Sequence, residues 1–435
     1  MTASPITVRL SDHQRLAPAH RRILVFAWSA WCSGFYSLML LSFVLRAIQD
    51  DLGLSKEALA PLTAVGVGMT GAGGLLFGWM SDRLGRRMSM AVSIAAFSLG
   101  NLACGLAPDL ATLIVARAVA GLGIGGTWGA GQAMLGETIP PALRGRYGAL
   151  AQSGAPAGLG LAAVMGSFLA PAIGAIGAIG AIGVTGWRTV FLISALPLAV
   201  VLLWRRLPES DLWLEHRRRL HDGRLDGREL ERARRPVLAQ LVAGDMIGLF
   251  TRAFLLTAFN MSAYWFAVVW LPRYLQEGRG LSIFGSGWWT LAFVAGSATG
   301  YLTFGWFSDR IGRRRAFAMY CAVTAAGLAL VLSEGVSSNA ALGLACMVVA
   351  GIGTGTWSCY GPYFSELFPT RVRGAAMSVI MNVTRGVQFV APFVIAAVAG
   401  RWGLAGGIAL AAGFAVLAGA WVWTLPETAG ARIDV

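Results

Sequence analysis

Two arginines, Arg117 and Arg385, lie inside long apolar stretches of the chain, where a charged side chain is costly. Arg117 follows Asp109 by eight residues and Arg385 follows Gly374 by eleven, so helices that cross a bilayer would hold both near its centre. A charge at that depth costs about 2.5 to 3.5 kcal/mol, which makes each arginine a candidate binding residue. Because a guanidinium binds a carboxylate through two parallel hydrogen bonds, the pair predicts a site for a small organic anion.

Aromatic and amide side chains share helix faces with these arginines. Trp128 lies eleven residues, almost three turns, after Arg117, and Asn382 lies three before Arg385. Indole and phenol rings suit the apolar body of an organic acid, although each ring taken singly also suits core packing, and either arginine could instead bond helix carbonyls. The candidate binding residues are Arg117, Arg385, Trp128, Gln132, Asn260, Tyr264, Trp357, Tyr360, Asn382 and Gln388.

Other chemistries lack the residues that they need. Lys56 is the only lysine and no Gly-rich loop with Walker spacing precedes it, which excludes an ATP-driven motor within this chain. The four histidines lie in polar segments, and the five cysteines lie in apolar runs without C-x-x-C spacing, so we expect no metal site and no disulfide framework. Without a nucleophile–base pair inside the apolar stretches, we expect neither an enzyme nor a cofactor.

The elements that carry the candidate residues are predicted to be membrane-spanning helices. Of the 435 residues, 56% are hydrophobic and 13% are charged, with a mean hydropathy of +0.64, whereas a soluble domain has about 25% charged residues. The sequence predicts an all-α polytopic membrane protein with twelve transmembrane helices in two six-helix repeats. The predicted spans are 23–47, 58–80, 88–107, 110–136, 147–172 and 190–207, then 251–275, 283–307, 316–333, 339–364, 374–399 and 403–425.

The arginines and the lysine predict the orientation of these spans. Of the 35 basic residues, 27 fall on one side of the membrane, six on the other and two inside the spans. Basic residues concentrate in cytoplasmic loops, so both termini are expected in the cytoplasm, in a bacterial inner membrane. The net charge of +14 is therefore explained without a nucleic-acid partner.

The spans divide the chain into two bundles and three polar segments. An Arg-rich cytoplasmic linker separates the bundles, and its composition fits either an amphipathic helix on the leaflet or a solvated loop. A Gly-Ala-Ile repeat at 173–183 is expected to be a flexible extension on the outer face. The predicted divisions are a tail at 1–22, a bundle at 23–207, the linker at 208–250, a bundle at 251–427 and a tail at 428–435.

Two blocks of sequence occur twice. The segment Gly78-Trp-Met-Ser-Asp82-Arg-Leu-Gly-Arg-Arg87 recurs as Gly305-Trp-Phe-Ser-Asp309-Arg-Ile-Gly-Arg-Arg314, at an offset of 227 residues. A second block, which contains Gly121, Gly123, Gly125, Thr127 and Trp128, recurs with Gly351, Gly353, Gly355, Thr356 and Trp357. Blocks that repeat in register on both sides of a linker indicate a duplicated six-helix unit, which is the plan of many secondary transporters.

These repeated residues resemble the major facilitator superfamily over residues 21–428. The phrases Gly186-Trp187-Arg188, Pro208-Glu209-Ser210 and Pro426-Glu427-Thr428 are similar to those of its metabolite:proton symporter (aromatic acid and organic anion) and sugar porter branches. The resemblance implies the twelve-helix major facilitator fold.

By resemblance, the repeated motif closes the cytoplasmic side of the protein in its outward-facing state. Asp82 and Asp309 could accept hydrogen bonds from a neighbouring helix N-terminus, and the arginines could bond Glu137 or Glu366. The alternative is that these arginines only set the topology. The predicted gating residues are Gly78, Asp82, Arg83, Gly85, Arg86, Arg87, Glu137, Arg144, Gly305, Asp309, Arg310, Gly312, Arg313, Glu366 and Arg373.

The first span departs from the pattern of the aromatic-acid proton symporters. Those proteins carry two acidic residues where this chain has Gly34 and Ser37. Without an acidic residue or histidine inside the spans, an evident proton carrier is missing. Three coupling schemes stay open: anion exchange, proton uptake on the substrate or through Asp109 or Glu137, and passive uniport.

The resemblance and the arginines together predict a secondary transporter that moves a small carboxylate by alternating access. Its partners are expected to be the anionic substrate and the lipid bilayer, with protons as an open question, and the protein is expected to act as a monomer. One alternative is a sugar or polyol porter, which the Trp-rich spans would suit. Another is a transport-inactive membrane receptor with the same fold.

Overall fold

The computed structural model describes residues 17–55, 59–170, 172–173, 186–201, 207–222, 237–241, 243–273, 283–333, 339–387 and 391–431. Every regular element in these ranges is helical. Seven of the helical stretches there are long and apolar enough to span a membrane. The helical prediction is therefore confirmed, whereas Gln388, the Gly-Ala-Ile repeat after residue 173 and both chain ends lie outside the described residues.

The N-terminal half consists of long apolar helices, because a backbone in lipid must satisfy its hydrogen bonds internally. Its longer helices match the predicted spans to within several residues, and a 3-10 turn, Pro141–Leu143, leads into the fifth. A π-helical turn, Met165–Leu169, follows α6. The helices are α1 (Pro18–Asp51), α2 (Leu59–Leu84), α3 (Arg86–Leu106), α4 (Leu110–Thr138), α5 (Arg144–Gln152), α6 (Gly154–Val164), α7 (Gly186–Ile193) and α8 (Pro197–Val201).

The linker contributes two short helices, α9 (Asp211–His221) and α10 (Val237–Leu241). Ser210 caps α9, because its hydroxyl accepts a hydrogen bond from the backbone N–H of Trp213. The Trp213 side chain is buried, and its Nε1 donates to the backbone oxygen of Asp82 at 2.8 Å. Helix α9 therefore packs against the N-terminal half.

The C-terminal half repeats this plan. Its first helix begins at Gly244, within the segment predicted as linker. Arg252 lies inside this helix, where its guanidinium donates to the backbone oxygens of Gly248 and Thr424. Gly403, with φ of 68°, marks a kink in the helix Ala391–Trp421, at the predicted boundary between the last two spans. The helices are α11 (Gly244–Arg273), α12 (Ile283–Ile311), α13 (Arg313–Leu332), α14 (Ala340–Gly353), α15 (Tyr360–Leu367), α16 (Arg373–Val387) and α17 (Ala391–Trp421), with 3-10 turns at Thr354–Ser358 and Val422–Thr424.

The repeated glycines are points of close helix packing. A Cβ atom at Gly123 would lie 2.3 Å from the backbone nitrogen of Phe97 on α3, and one at Gly353 would lie 2.3 Å from that of Thr324 on α13. In each half these contacts press the fourth span against the third. The repeated glycines of the second block thus allow the backbones of neighbouring helices to come close together, as small residues do between membrane helices.

We predict that Gly123→Ala destabilises the protein by about 1 to 3 kcal/mol, because the added methyl group meets backbone atoms that cannot rotate away. The matched control is Gly131→Ala on the same helix, where the added atom would lie 3.5 Å from the Cβ of Ala27. That variant should be neutral or gain up to about 1 kcal/mol from the better helix former. Chemical unfolding in mixed micelles measures both, and equal stabilities would contradict the packing assignment.

Candidate functional site

Asp82 joins the two halves at the ends that the basic residues predict to be cytoplasmic. Its carboxylate accepts hydrogen bonds from the backbone N–H groups of Gly374 at 3.0 Å and Ala375 at 2.8 Å, in the first turn of α16. Arg86 donates to the same carboxylate at 2.9 Å. An anion at a helix N-terminus meets both free N–H groups and the positive end of the helix dipole. This contact fastens α2 of one half to α16 of the other.

Asp309 makes the reciprocal contact. It accepts from the backbone N–H groups of Gly145 and Arg146, each at 3.0 Å, at the start of α5. Arg313 donates to it at 2.8 Å. The repeat in the sequence therefore appears in the structure as two copies of one bond pattern, each reaching across to the opposite half.

Two buried glutamates extend both contacts. Glu137 on α4 accepts from Arg86 of its own half at 2.9 Å and from Arg373 of the C-terminal half. Glu366 on α15 accepts from Arg313 at 2.9 Å and from Arg144 of the N-terminal half at 3.2 Å. We call this set the cytoplasmic gate, after the side and the role that the sequence predicts for it: Asp82, Arg86, Glu137, Arg144, Asp309, Arg313, Glu366 and Arg373.

Two further glutamates hold the N-termini of α3 and α13. Glu209 accepts from the backbone N–H groups of Arg86 and Arg87, and Glu427 accepts from those of Arg313 and Arg314. In the sequence these glutamates stand only within family phrases, and their role in holding a helix N-terminus was not predicted. The available signal was their equivalent position, each in a Pro-Glu pair just after the last span of its half.

The short loops beside the gate depend on glycine. Gly85 and Gly312 have φ of 107° and 97°, in the region that side chains avoid. A Cβ atom at Gly85 would lie 2.4 Å from a carboxylate oxygen of Glu209. Gly78 and Gly305 instead allow close approach between the halves. A Cβ atom at Gly78 would lie 2.9 Å from the Cα of Ala375, and one at Gly305 would lie 2.6 Å from the Cβ of Ala149.

Burial affects the charge state of the acidic groups that lie beyond the spans. Burial raises the pKa of Asp82 to about 6, against the opposing effect of Arg86 and the two backbone N–H groups. Burial likewise raises the pKa of Asp309. For Glu427, burial acts in the same direction but the backbone N–H groups outweigh it, so its pKa falls.

Three predicted gating arginines do not reach across in the described contacts. Arg87 donates to the backbone oxygen of Leu207 at 3.1 Å, which ties α3 to the start of the linker. Arg310 lies 3.8 Å from the ring centre of exposed Trp306 on its own helix. Arg83 is exposed and lines a cytoplasmic cavity described below.

Arg385 lies at the interface between the halves, deeper than the gate. It is 5% exposed, and its guanidinium carbon lies 5.8 Å from the ring centre of Trp31 on α1. Its NH1 donates to Oδ1 of Asn382 at 3.1 Å. The amide nitrogen of Asn382 in turn donates to the backbone oxygen of Gly125 on α4 at 2.9 Å. Arg385 is thus held between both halves.

Aromatic and amide groups from both halves surround this level. Trp357 packs edge-on between Tyr264 and Tyr360, with ring centres 5.4 and 5.7 Å apart. In the N-terminal half, Nε1 of Trp128 donates to Oε1 of Gln152 at 2.6 Å, and Gln132 lies beside the same oxygen. Trp31, Trp128, Trp357 and Tyr360 belong to one hydrophobic cluster that spans the interface.

Four buried polar atoms at this cluster make no hydrogen bond to any residue that the structure describes. An unsatisfied buried polar group costs about 1 to 3 kcal/mol, so such a concentration favours a polar ligand or bound water. The Tyr360 hydroxyl lies close to Asn260 and Thr257 but outside bonding geometry. The four atoms are Trp31 Nε1, Gln132 Oε1, Asn260 Nδ2 and the Tyr360 hydroxyl oxygen. We call these residues, with Arg385, Asn382, Trp128, Gln152, Tyr264 and Trp357, the central group.

Arg117 lies apart from the central group. Its NH1 donates to the backbone oxygen of Ser37 at 3.2 Å, and its guanidinium carbon lies 5.8 Å from the ring centre of Phe191. Both partners belong to the N-terminal half. The rise per residue of a helix predicts the depth of Arg117 in the bilayer. It does not predict the direction of the Arg117 side chain, which depends on how α4 is rotated about its axis against α1, α2 and α7. The described contacts therefore do not bring the two arginines together.

Sequence reasoning missed two members of the central group. These are Trp31 and Gln152, which are not among the candidate binding residues that the sequence predicts. An amide inside an apolar span is itself a signal, because lipid offers it no hydrogen-bond partner. Trp31 carried no such signal, since a tryptophan in a membrane helix is ordinary.

Comparison with known proteins agrees with this architecture. A model described as Major Facilitator Superfamily matches residues 26–287 and 253–434. A protein of Cupriavidus pinatubonensis named "Probable 4-methylmuconolactone transporter" is 28% identical over 425 residues, covering 96% of this chain and 93% of its own length. The sialic acid transporter NanX of Escherichia coli is 26% identical over 393 residues, covering 90% of each chain. The solved structure of the proton:xylose symporter XylE superimposes with a TM-score of 0.76 at 18% identity, covering 95% of this chain and 97% of that one.

We predict that Asp82→Asn separates the cytoplasmic ends of the two halves. An asparagine side chain offers one acceptor oxygen where the carboxylate offers two, and it loses the ion pair with Arg86, so the open population should rise about tenfold. Spin labels at Met88→Cys and Arg315→Cys, 227 residues apart in equivalent first turns, report the separation. The five native cysteines are buried.

Asp109→Asn is the matched control for this experiment. Asp109 accepts from the backbone N–H of Thr112 at 2.8 Å and caps α4 at its other end, remote from the gate. It should leave the label distances unchanged. If the Asp82→Asn variant shows the same distribution of distances between the two spin labels as the parent protein, then Asp82 does not hold the halves together.

Proposed function

This chain belongs to the major facilitator superfamily, and on that premise we propose that it is a secondary transporter that carries a small organic anion across its membrane by alternating access. The observation that carries the proposal is Arg385, a buried guanidinium at the interface of the halves. Its described polar partner is the neutral Asn382, and no carboxylate in the described part of the chain pairs with it.

A buried charge without a counter-ion is unfavourable by several kcal/mol. The gate arginines Arg86, Arg144, Arg313 and Arg373 each have a glutamate partner, so this chain pairs its other interfacial charges. The carboxylate that Arg385 lacks is therefore best supplied by the substrate. Its planar fork can bind both oxygens of a carboxylate at once.

The rest of the central group favours an acid with a flat or apolar body. The rings of Trp31, Trp128, Trp357 and Tyr264 offer apolar faces, while Gln132, Asn260 and Tyr360 offer unsatisfied polar atoms. Such a lining suits an unsaturated or aromatic acid that carries further oxygens. The names of the relatives, for a lactone of muconate and for sialic acid, support an oxygen-rich organic acid.

Alternating access requires that the contacts on one side can break. The described bonds between the halves lie between the level of Asn382 and the cytoplasmic gate. In the orientation that the basic residues predict, this conformation is therefore closed towards the cytoplasm. An anion held by Arg385 and by groups of the N-terminal half would favour closure around itself. Transport follows if that closure loosens the gate, since a ligand shifts the state that it binds better.

The described residues also bear on how transport is coupled. Glu137 bonds two gate arginines and Asp109 caps α4, so both proton carriers considered from the sequence are occupied. The central group contains no acidic residue or histidine. We therefore propose exchange against a second anion, with a proton carried on the substrate as the alternative. We place the protein as a monomer in a bacterial inner membrane, with both termini cytoplasmic.

Collapse of the proton gradient in proteoliposomes separates these schemes. For exchange between anions, counterflow driven by internal substrate should keep its rate and its accumulated level when an uncoupler is added. The control is uptake into vesicles without internal anion, which should be slow throughout. An uncoupler that abolishes accumulation but leaves exchange unchanged would contradict pure antiport and support a proton carried with the substrate.

A sugar or polyol porter is the second candidate. The amides of Gln132 and Gln152 lie beside Trp128, and Asn260 bonds Thr356 next to Trp357. Amides and tryptophan rings bind hydroxyls and sugar rings, which favours this alternative. Uptake of a neutral sugar that does not depend on Arg385 would establish it. A receptor without transport would instead bind the ligand and show no counterflow.

We predict that Arg385→Ala and Arg385→Lys both weaken binding of the anion and abolish its uptake. Alanine removes the charge, and lysine loses the planar fork, so each should weaken binding at least about tenfold. Thermal shift of the purified protein with aromatic acids, dicarboxylates, sugars and organic cations identifies the ligand class. At 100 times its dissociation constant a ligand stabilises the protein by about 2.7 kcal/mol.

The matched control is Arg401→Lys, at an exposed arginine near the kink between the last two spans. It should keep both the thermal shift and the uptake of the parent. Parent-like uptake in both Arg385 variants would remove Arg385 from the site. Stabilisation by a sugar in parent and variants alike would move the assignment to the second candidate.

A further inference from the structure

A cavity of about 200 Å³ lies on the cytoplasmic side, away from the central group. It is enclosed by three parts of the chain: the end of α2, the linker helices α9 and α10, and the loop before α16. Its described lining residues are Asp82, Arg83, Trp213, His216, Arg217, Leu220, Gln240 and Arg371.

The lining of this cavity is strongly basic. Each of the three parts brings positive charge or a hydrogen-bond donor: Arg83 from the N-terminal half, Arg217 from the linker and Arg371 from the C-terminal half. The one carboxylate, Asp82, has 1% of its side chain exposed, and both oxygens already accept from Arg86 and from α16. Both oxygens of this carboxylate are therefore already engaged, and it does not present a free acceptor to the cavity.

Two further features make the cavity suitable for an anion. Trp213 is buried and fixed by its bond to the Asp82 backbone, and Arg217 lies 5.2 Å from its ring centre, which orders that guanidinium. Burial, followed by the charges of Arg86 and Arg371, lowers the pKa of His216. The positive field at this histidine is the field that an anion would meet.

We propose that this cavity is a regulatory site for a phosphate-bearing anion from the cytoplasm, and that its occupation holds the cytoplasmic gate closed. An anion bound by Arg83, Arg217 and Arg371 would join the N-terminal half, the linker and the C-terminal half. The cavity has this lining only when the halves are closed, because Asp82 and Arg371 belong to opposite halves. An anion that binds here therefore favours the closed state.

This site differs from the proposed substrate site in position and in residues. The guanidinium of Arg385 lies within the spans beside Trp31, whereas the cavity is built on the linker and the cytoplasmic loops. The inference rests on the gate and on membership of the transporter family, and it does not require that the substrate is a carboxylate. A response to phosphate can thus be separated from a response to substrate.

The test uses the full-length protein in nanodiscs of a zwitterionic lipid, with inorganic phosphate as the probe. Thermal stability is titrated with phosphate and with sodium chloride at equal ionic strength, because screening alone acts on all exposed charges. Phosphate should raise the melting temperature further than chloride. Arg217→Gln and Arg371→Gln should each weaken the apparent phosphate affinity about tenfold.

Arg218→Gln is the matched control, because Arg218 is exposed on the same helix and does not line the cavity. It should keep the phosphate response of the parent, as should Arg385→Ala. In the spin-labelled protein, phosphate should shorten the distance between residues 88 and 315 only where Arg217 is intact. If Arg371→Gln does not fold, Arg217→Gln alone still tests whether the cavity binds phosphate.

Three outcomes would overturn the proposal. Phosphate and chloride could act equally at matched ionic strength, which would reduce the effect to screening. Arg217→Gln and Arg218→Gln could show the same phosphate affinity, which would place the anion elsewhere. Finally, nanodiscs with an anionic phospholipid could reproduce the closure while free phosphate does nothing, which would assign the cavity to a lipid headgroup.

Discussion

The bond between a carboxylate and the first turn of a helix in the opposite half organises this structure. Asp82 accepts from the start of α16, and Asp309 accepts from the start of α5. Each aspartate gains from two backbone N–H groups and a helix dipole, which need no side-chain rearrangement to be in place. Because both contacts are made across the halves, the closed cytoplasmic side is a property of the pair and of neither bundle alone.

The gate buries many charges, and this makes it suitable for switching. Desolvation of Glu137, Glu366 and their arginines offsets much of the attraction between them, so the closed arrangement gains little net stability from its charges. When the halves separate, water replaces each lost bond. A gate of paired, buried charges can therefore be specific in geometry and still lie close in free energy to its open form, as alternating access needs.

The sequence predicted the positions of residues along the helix axes better than the rotation of the helices about those axes. Position along a helix follows from a constant rise, so the depth of Arg385 and the ends of most spans were predictable. The repeated motif likewise predicted that its aspartates meet a helix N-terminus and that its arginines meet Glu137 and Glu366, but it did not predict which arginines do so, since Arg87 and Arg310 make other contacts. Rotation about each helix axis depends on packing between distant helices, which is why Arg117 was not expected among Ser37 and Phe191, and why Trp31 and Gln152 were missed.

Helix α16 connects the gate to the central group. Its first turn is held by Asp82, and eleven residues later, about 17 Å along the same helix, it carries Arg385. Between them, Asn382 bonds Arg385 on one side and the backbone of Gly125 on the other. A ligand that draws Arg385 towards the N-terminal half must therefore move or strain the helix whose N-terminus closes the cytoplasmic side. The coupling between binding and opening requires no relay of side chains, because one rigid element bears both contacts.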